Sequence, residues 1–427
     1  MVKNRIFIGL IDIAGFFDRL KIGFDQIGTK SDLYLREMHP FGYDSRKLNL
    51  LQRTFYHFSR WKNTRQNIFI KYIISVLQYC LSIPLFLFSL AYYDVYIFGF
   101  KQSFFPKFGF LDLKILRKFN KKIIFHFFGS DARPPYVDGA LATAFNYKYT
   151  NLLIKITKKQ KRDIKVIEKY ADVIINHPPT AQFHEKSFVQ YLHIGIPTII
   201  ENNNYTNEIT VNFPIRILHC PSVPKAKGSD TIRATINKLI DKGYKIDFIE
   251  ITGKSNKYIL DAITHADFVI DQLYSNNPMP GFVSEAAMFK KPAIICGYYH
   301  KEIEKILPPS KIPPSLYTHP NDLEYSILKL IEDRKFRLEL GQKAYNFVRD
   351  EWNPKTVALR YLWLINDKAP ASWFYDPYKI EHVHGGAISE KDAKDFVSKV
   401  IKAGGKSALQ LSDKPDLEKL FIDFAAP

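Results

Sequence analysis

The sequence predicts an α/β protein built from two successive βαβ series, each closing a sheet of its own, with a small helical extension at the C-terminus. Three observations carry this prediction. Short apolar runs alternate with amphipathic stretches along most of the chain, as strands alternate with helices around a parallel sheet. The alternation falls into two series, separated by the polar, asparagine-rich stretch from Ile200 to Asn212. The 427 residues also exceed what one core supports, since single cores seldom grow past about 250–300 residues before a chain splits. The expected domains are residues 1–200 and 213–366, both Rossmann-like, followed by an extension over 367–427.

In the first series the strands are expected at Arg5–Ile11, Asp94–Phe98, Lys122–Phe127 and Asp172–Asn176, with helices near Phe16–Ile27, Ile68–Tyr92 and Asn151–Tyr170. One of these helices is unusual. Tyr72 to Tyr93 holds 22 residues without a charge, and as a helix it would extend about 33 Å, enough to cross a bilayer. Basic and aromatic neighbours (Arg60, Trp61, Lys62, Arg65, Lys71) would suit an interfacial anchor. Pro84 interrupts it, however, and a buried strand follows at once at Asp94–Gly99. If that strand shares a sheet with Arg5–Ile11, the segment cannot span. The expectation is a hydrophobic helix packed on the sheet, with one face free to dip into lipid.

The second series places strands at Ile215–His219, Lys245–Ile251, Phe268–Asp271 and Pro292–Cys296. Its helices fall at Ser229–Lys242, Tyr258–His265, Phe282–Lys290 and Asn321–Val348. A helix at Lys355–Asn366 follows Trp352-Asn353-Pro354, then an irregular aromatic run, Ala371 to Asp376. From Ser389 to Pro427 two short amphipathic helices flank Gly404-Gly405. Ala393, Phe396, Val397, Val400 and Ile401 recur there at helical spacing, which marks a packed appendage.

Composition narrows the function classes. Apolar residues at 46% and charged residues at 24% describe a folded chain. The net charge of +18 favours phosphate-bearing partners without choosing among them. No nucleic-acid-binding motif accompanies it, so nucleic acid is not an expected partner. Three scattered cysteines, Cys80, Cys220 and Cys296, exclude a disulfide framework and any Cys-x-x-Cys metal site, and suit a reducing compartment. The N-terminus lacks the pattern of a signal peptide, which points to a cytoplasmic protein. No Gly-x-Gly-x-x-Gly occurs, which removes the main support for a dinucleotide oxidoreductase. Gly405-Lys406-Ser407 imitates the end of a Walker A loop, but a helix precedes it where a strand is needed. His382 and His384 have no third partner for a metal and read as a solvated loop. No metal site is expected.

Two strand-to-helix corners in the second series carry the chemistry. After Ile215–His219 comes a loop with Ser222, Lys225, Lys227 and Gly228, then a helix. Loops at the C-terminal ends of parallel strands, feeding helix N-termini, bind phosphates. Lysines would neutralise charge there, Gly228 would admit close backbone approach, and Ser222 offers a hydroxyl. An ordinary loop with solvated lysines is the plain alternative. The same geometry recurs after Phe268–Asp271, where a loop containing Asn277 leads to Gly281, Phe282 and Glu285 at the start of a helix. Free amides at Gly281, Phe282 and Val283 favour an anion. Glu285 can accept from a ribose diol, or simply stabilise the helix dipole.

These segments, His219-Cys220-Pro221-Ser222, Lys227-Gly228, Ala266 to Leu273, Gly281 to Ala287 and Lys291-Pro292-Ala293-Ile294, resemble the donor-binding half of family 4 retaining glycosyltransferases. A weaker resemblance extends to Ile11-Asp12-Ile13-Ala14-Gly15, to His126 through Arg133 and to Tyr170 to Ile174. It implies the GT-B fold, two Rossmann-like domains facing across a cleft. It further implies a metal-independent transfer that uses a nucleotide sugar as substrate and needs no cofactor. Glu285 would contact the ribose and Lys227 the diphosphate. Gly281 and Phe282 would give backbone contacts, and Gly15 would face the donor from the first domain. Two positions depart from the pattern: Asn277 stands where the family has a first glutamate, and Lys225 where it has an arginine. His126 and Asp131 are the first-domain catalytic candidates, although Phe128 occupies the family's usual histidine position. His126 also reads as a core histidine, and Asp131 as a loop ion-pair partner. The acceptor expected is a cell-envelope glycan or lipid-linked sugar. Sixteen basic against five acidic residues between Lys101 and Lys169 suit peripheral contact with an anionic membrane. A non-catalytic nucleotide-sugar-binding protein on the same scaffold is the alternative.

Overall fold

A computed structural model describes residues 4–37, 50–141, 150–200 and 214–426. The expected interdomain stretch falls on residues 201–213, outside the described residues. Twelve strands form two sheets among the described residues. The first contains β1 (Ile6–Leu10), β2 (Ser31–Leu35), β3 (Val95–Gly99), β4 (Lys122–His126), β5 (Val173–Asn176) and β6 (Phe188–Gln190). The second contains β7 (Ile215–His219), β8 (Ile246–Glu250), β9 (Phe268–Ile270), β10 (Ala293–Cys296) and β11 (Leu316–Thr318). A short last strand, β12 (Phe374–Tyr375), returns to the first sheet and pairs antiparallel with β6.

The spatial orders are β12-β6-β5-β4-β3-β1-β2 and β11-β10-β9-β7-β8. Each sheet therefore starts with a central strand, sends the second strand to one side and the third to the other. All pairings other than β12 with β6 are parallel. The interior strands are almost wholly buried because helices cover both faces, and their sequences are accordingly apolar runs such as Ile6–Leu10. The edge strands β2, β8, β11 and β12 are less covered. In a doubly wound sheet the crevice opens where the strand order reverses, at the carboxyl ends of the strands. Here that means β1 beside β3, and β7 beside β9. Both reversals are set by the chain order alone.

The apolar helix Ile68–Tyr92 fills the connection between β2 and β3. β1 and β3 are hydrogen-bonded neighbours, with Ile6 opposite Val95, so the helix lies on the sheet as expected and does not separate the two strands. Its inner face, including Ile74, Leu85, Phe86 and Ser89, is buried, while Ile68, Phe69, Tyr72 and Leu87 remain more than half exposed. Asn67 caps the helix by accepting from the Phe69 amide at 2.8 Å.

Several elements differ from the sequence expectation. Helix Asn321–Val348 is two helices, Leu323–Glu332 and Arg334–Asp350, because Asp333 caps the second by accepting from the Phe336 amide at 2.9 Å. Helix Pro354–Ile365 follows the second domain in sequence but packs on the first. Val357, Ala358, Tyr361 and Leu364 join the core beneath β1 and helix Phe16–Gln26. Gly23 permits this: a Cβ there would sit 2.0 Å from the Pro354 carbonyl. The extension also belongs to the first domain. Its helix Glu390–Gly404 buries Ala393, Phe396, Val397 and Val400 against helix Thr150–Tyr170.

Candidate active-site cleft

A cavity of about 310 Å³ opens between the two sheets. Ile13 and Ala14 reach it from the end of β1, His126, Phe128 and Gly129 from the end of β4, and Asn176 and His177 from the end of β5. The opposite wall comes from the loop after β9, Gln272 to Asn277, and from Pro280 and Gly281 at the start of helix Gly281–Met288. The crevice thus lies between the carboxyl ends of strands from the two sheets.

On the first wall, Ala14 and Gly15 take left-handed backbone conformations, φ 51° and 73°, to turn β1 into helix Phe16–Gln26. Asp12 holds the turn, accepting from the amides of Phe17 at 2.8 Å and Asp18 at 3.3 Å. Burial raises the Asp12 carboxyl to about 6. His126 lines the cavity, sandwiched by ring contacts to Phe16 and Phe128, with Nδ1 hydrogen-bonded to the Tyr361 hydroxyl at 2.8 Å. Burial pushes its pKa down to about 3, so it is neutral at physiological pH and has one nitrogen committed. Asp131 sits behind the wall. Its Oδ1 accepts from the amides of Phe128 and Gly129, each at 2.9 Å, while Oδ2 is buried without a partner. Burial raises it to about 6.

On the second wall, Gly281 opens the helix and lines the crevice, and an added Cβ would stand 3.9 Å from the Ala14 side chain. Ala14, next to Gly15, and Gly281 therefore face each other across one gap. Glu285 is buried one turn in, its Oε1 accepting from Arg19 at 3.0 Å and Asn256 at 2.9 Å. Burial raises its pKa against those partners. Phe282 is half-buried beside Gly281. Asn277 spends its amide across the cleft and within its loop, donating to the hydroxyl of Tyr191 from the first domain and accepting from the Met279 amide at 3.0 Å. Lys227 does not line the cavity but lies beside it, with Nζ 3.0 Å from the buried Asp271, immediately before the lining residue Gln272. Gly228, at φ 75°, packs on Leu273, and the Leu273 amide donates to the Lys227 carbonyl at 3.1 Å. Ser222 and Lys225 are exposed and, like Lys227, do not line the cavity. The two corners are adjacent.

Three features escaped the sequence. His177 bridges the domains, its Nε2–H donating to the Asn276 carbonyl at 2.6 Å, and burial lowers it to about 4. Arg19 reaches Glu285 from a first-domain helix. The extension contributes Ala387 to the cavity, with its amide donating to the Tyr274 carbonyl at 2.8 Å. His382 is not solvated as expected. It is buried, its Nε2 3.3 Å from the Gly385 carbonyl, and burial lowers it to about 3. Gly385, at φ 78°, carried the available signal: a glycine pair directly after the two histidines marks a tight path, not an open loop.

Two doubly wound parallel-sheet domains facing across a cleft, joined by a helix that returns to the first, define the GT-B architecture. No family model and no curated protein sequence matches the chain. Solved structures similar to it include Anabaena HepE in complex with UDP-glucose, with TM-score 0.43, 10% identity, and 85% of this chain and 99% of that chain covered. Others are the glycosyltransferase SnogD from Streptomyces nogalater, with 0.39, 10%, 84% and 98% respectively, and the spinosyn rhamnosyltransferase SpnG, with 0.40, 11%, 84% and 99%. Similarities this slight add nothing to the site, which rests on the geometry above.

Proposed function

We propose that the protein is a retaining, metal-independent glycosyltransferase of hexosyltransferase type, moving a sugar from a nucleotide sugar to a cell-envelope glycan or lipid-linked acceptor. The observation that carries this is that Ala14, next to Gly15, and Gly281 face each other across one interdomain cavity. Cleaving a sugar–phosphate bond leaves negative charge on the departing diphosphate. The first-turn amides of Gly281, Phe282 and Val283 supply fixed positive dipoles at that point, and Lys227 and Lys225 supply charge beside them. Glu285 would reach the ribose with the oxygen not held by Arg19. His126 presents its second nitrogen to the sugar as a neutral hydrogen-bonding group. The nucleotide sugar is the substrate, and no further cofactor is invoked.

Incubation with UDP-, GDP- and ADP-sugars tests this, with release of a nucleoside diphosphate as readout. One of the three should be turned over in the presence of a membrane or glycan extract. No binding of any of the three contradicts the assignment. A second reading, a nucleotide-sugar-binding protein without transfer, is favoured by the commitment of the Asn277 amide to Tyr191. It predicts saturable binding with no release over a broad acceptor panel.

The lipid-linked acceptor is supported by the outer face of helix Ile68–Tyr92. From Leu50 to Tyr93 no aspartate or glutamate occurs, while Arg53, Arg60, Lys62, Arg65 and Lys71 do. An exposed apolar helix face with basic neighbours fits the cytoplasmic surface of an anionic bilayer, at about 1 kcal/mol per basic side chain near the surface. Cosedimentation should be several-fold greater with phosphatidylglycerol vesicles than with phosphatidylcholine. It should be lost in Phe69→Glu/Leu87→Glu protein, whose substituted positions are exposed. Equal sedimentation of both proteins contradicts the contact.

A further inference from the structure

The C-terminal extension threads past the cleft as a strap. Gly386 donates its amide to the Val137 carbonyl at 3.1 Å and accepts from the Gly139 amide at 3.0 Å, while Ala387 bonds to Tyr274 of the opposite domain. The strap touches both walls. It comes so close to Gly139 that a Cβ there would lie 1.6 Å from the Ala387 carbonyl.

Gly386 also backs the guanidinium of Arg133, a cavity-lining side chain that is nine-tenths buried. Nη1 of Arg133 donates to Asp138 Oδ2 at 2.8 Å and weakly to the Gly386 carbonyl at 3.5 Å. Nε is buried without an acceptor, and Nη2 makes no hydrogen bond among the described residues. Nε and Nη2 share one edge of the planar fork. Two parallel N–H groups left without acceptors, in a cavity wall, form the pattern that grips a carboxylate or phosphate through two bonds. A buried guanidinium with unmet donors is costly unless something completes it. His177 and His382, which lie near it, are neutral, and Asp138 is turned to Nη1, so among the described residues no protein anion occupies the free edge.

We propose that the Nε–Nη2 edge of Arg133, held in place by the strap at Gly386, is an oxyanion subsite at the floor of the cleft, taking a carboxylate or phosphate group of the substrate. It deepens the glycosyl-transfer reading by requiring an acidic sugar or a phosphorylated group in the cleft, at a point separate from the Lys227 corner.

The test is thermal stabilisation by three probes, inorganic phosphate, glucuronate and glucose, at constant ionic strength. The wild type should respond saturably to one or both anions and not to glucose. Phosphate alone identifies a phosphorylated group, and glucuronate alone an acidic sugar. Because Arg133→Gln leaves Asp138 buried without its partner, the decisive variant is Arg133→Gln/Asp138→Asn, which removes both charges together. It should lose the anion response at least fivefold, while Lys227→Ala should keep the part that phosphate or glucuronate gains at Arg133. Gly386→Ala is the second variant. Gly386 has no left-handed φ to strain, but its Cβ would fall 2.7 Å from Nη2 and 2.8 Å from Cζ, so the fork must shift and the response must weaken. An identical anion response in the wild type and the folded double variant overturns the subsite. The transferase reading would survive that result if nucleotide-sugar turnover persisted, and would fail separately if it did not.

Discussion

The two domains wind their sheets in the same order, yet they build their cleft walls differently. The second wall is almost entirely local: β9, its loop and helix Gly281–Met288 lie within 21 consecutive residues, Phe268 to Met288. The first wall is assembled from distant pieces. Its His126 rests on Tyr361 from the returning helix, and its Arg133 on Gly386 from the strap. A wall made of one strand–loop–helix unit is specified by turn chemistry. One made of remote pieces is specified by close backbone contacts that only glycine permits.

The largest expected effect falls beside the second wall, at the neighbouring Lys227 corner. Lys227→Ala should lower kcat/KM for the nucleotide sugar by about a hundredfold, the typical cost of one electrostatic stabiliser of a leaving group. Lys225→Ala, at an exposed position, should cost less than about tenfold on the same scale. Equal losses would erase the distinction between a residue beside the crevice and an exposed one.

Next comes the remote support of the first wall. Gly23→Ala places a methyl against the Pro354 carbonyl and should destabilise the fold by about 1–3 kcal/mol, as overpacking does. Denaturant unfolding measures it. An unchanged midpoint would mean that the returning helix does not support the first domain.

Acid should act more on the first wall than on the second. His126, His177 and His382 are held neutral by burial, at about 3, 4 and 3, below their ordinary 6.5. As pH falls below 6.5 the unfolded chain takes up protons that the folded one refuses, so their full stabilisation above 6.5 is lost toward pH 4. Asp12 and Asp131, raised to about 6, work oppositely: they favour the fold at low pH and stop doing so as pH rises from about 4 to 6. His193, also lowered to about 4 by burial, adds to the histidines. These outnumber the buried carboxyl groups raised by burial, so the net effect of acid is a loss of stability. Melting temperature should therefore fall between pH 6.5 and 4.5. A flat profile would refute the burial of these histidines.

The smallest effect belongs to the loop of the second wall. Asn277→Ala removes the bonds to Tyr191 and Met279 and should cost about 1 kcal/mol of stability. Donor KM should rise while kcat changes little. A fall in kcat alone would place Asn277 at the reacting sugar.

The same contrast explains what could be read in advance. Strands such as Ile6–Leu10 and Ile215–His219 are apolar runs that can only be buried, so the two-sheet architecture was legible. β2, Ser31–Leu35, was not, because Ser31 and Asp32 interrupt its apolar pattern, and β6, β11 and β12 are three residues or fewer. The Gly281 corner was legible from its turn residues. Arg133 read only as a loop ion-pair partner of Asp131, whereas it pairs with Asp138, and its importance depends on Gly386, 253 residues away. Nor could the sequence reveal that the Glu285 carboxylate is gripped by Arg19, a pairing made only by closing the two domains together.

Amide hydrogen exchange with and without a bound nucleotide sugar addresses the shared cleft most directly. Simultaneous protection of the amides at Gly281–Val283 and at Gly15–Phe17 is the predicted result, because one diphosphate would lie between the two corners. Protection confined to one domain, or centred away from both corners, would contradict a single site built from both sheets.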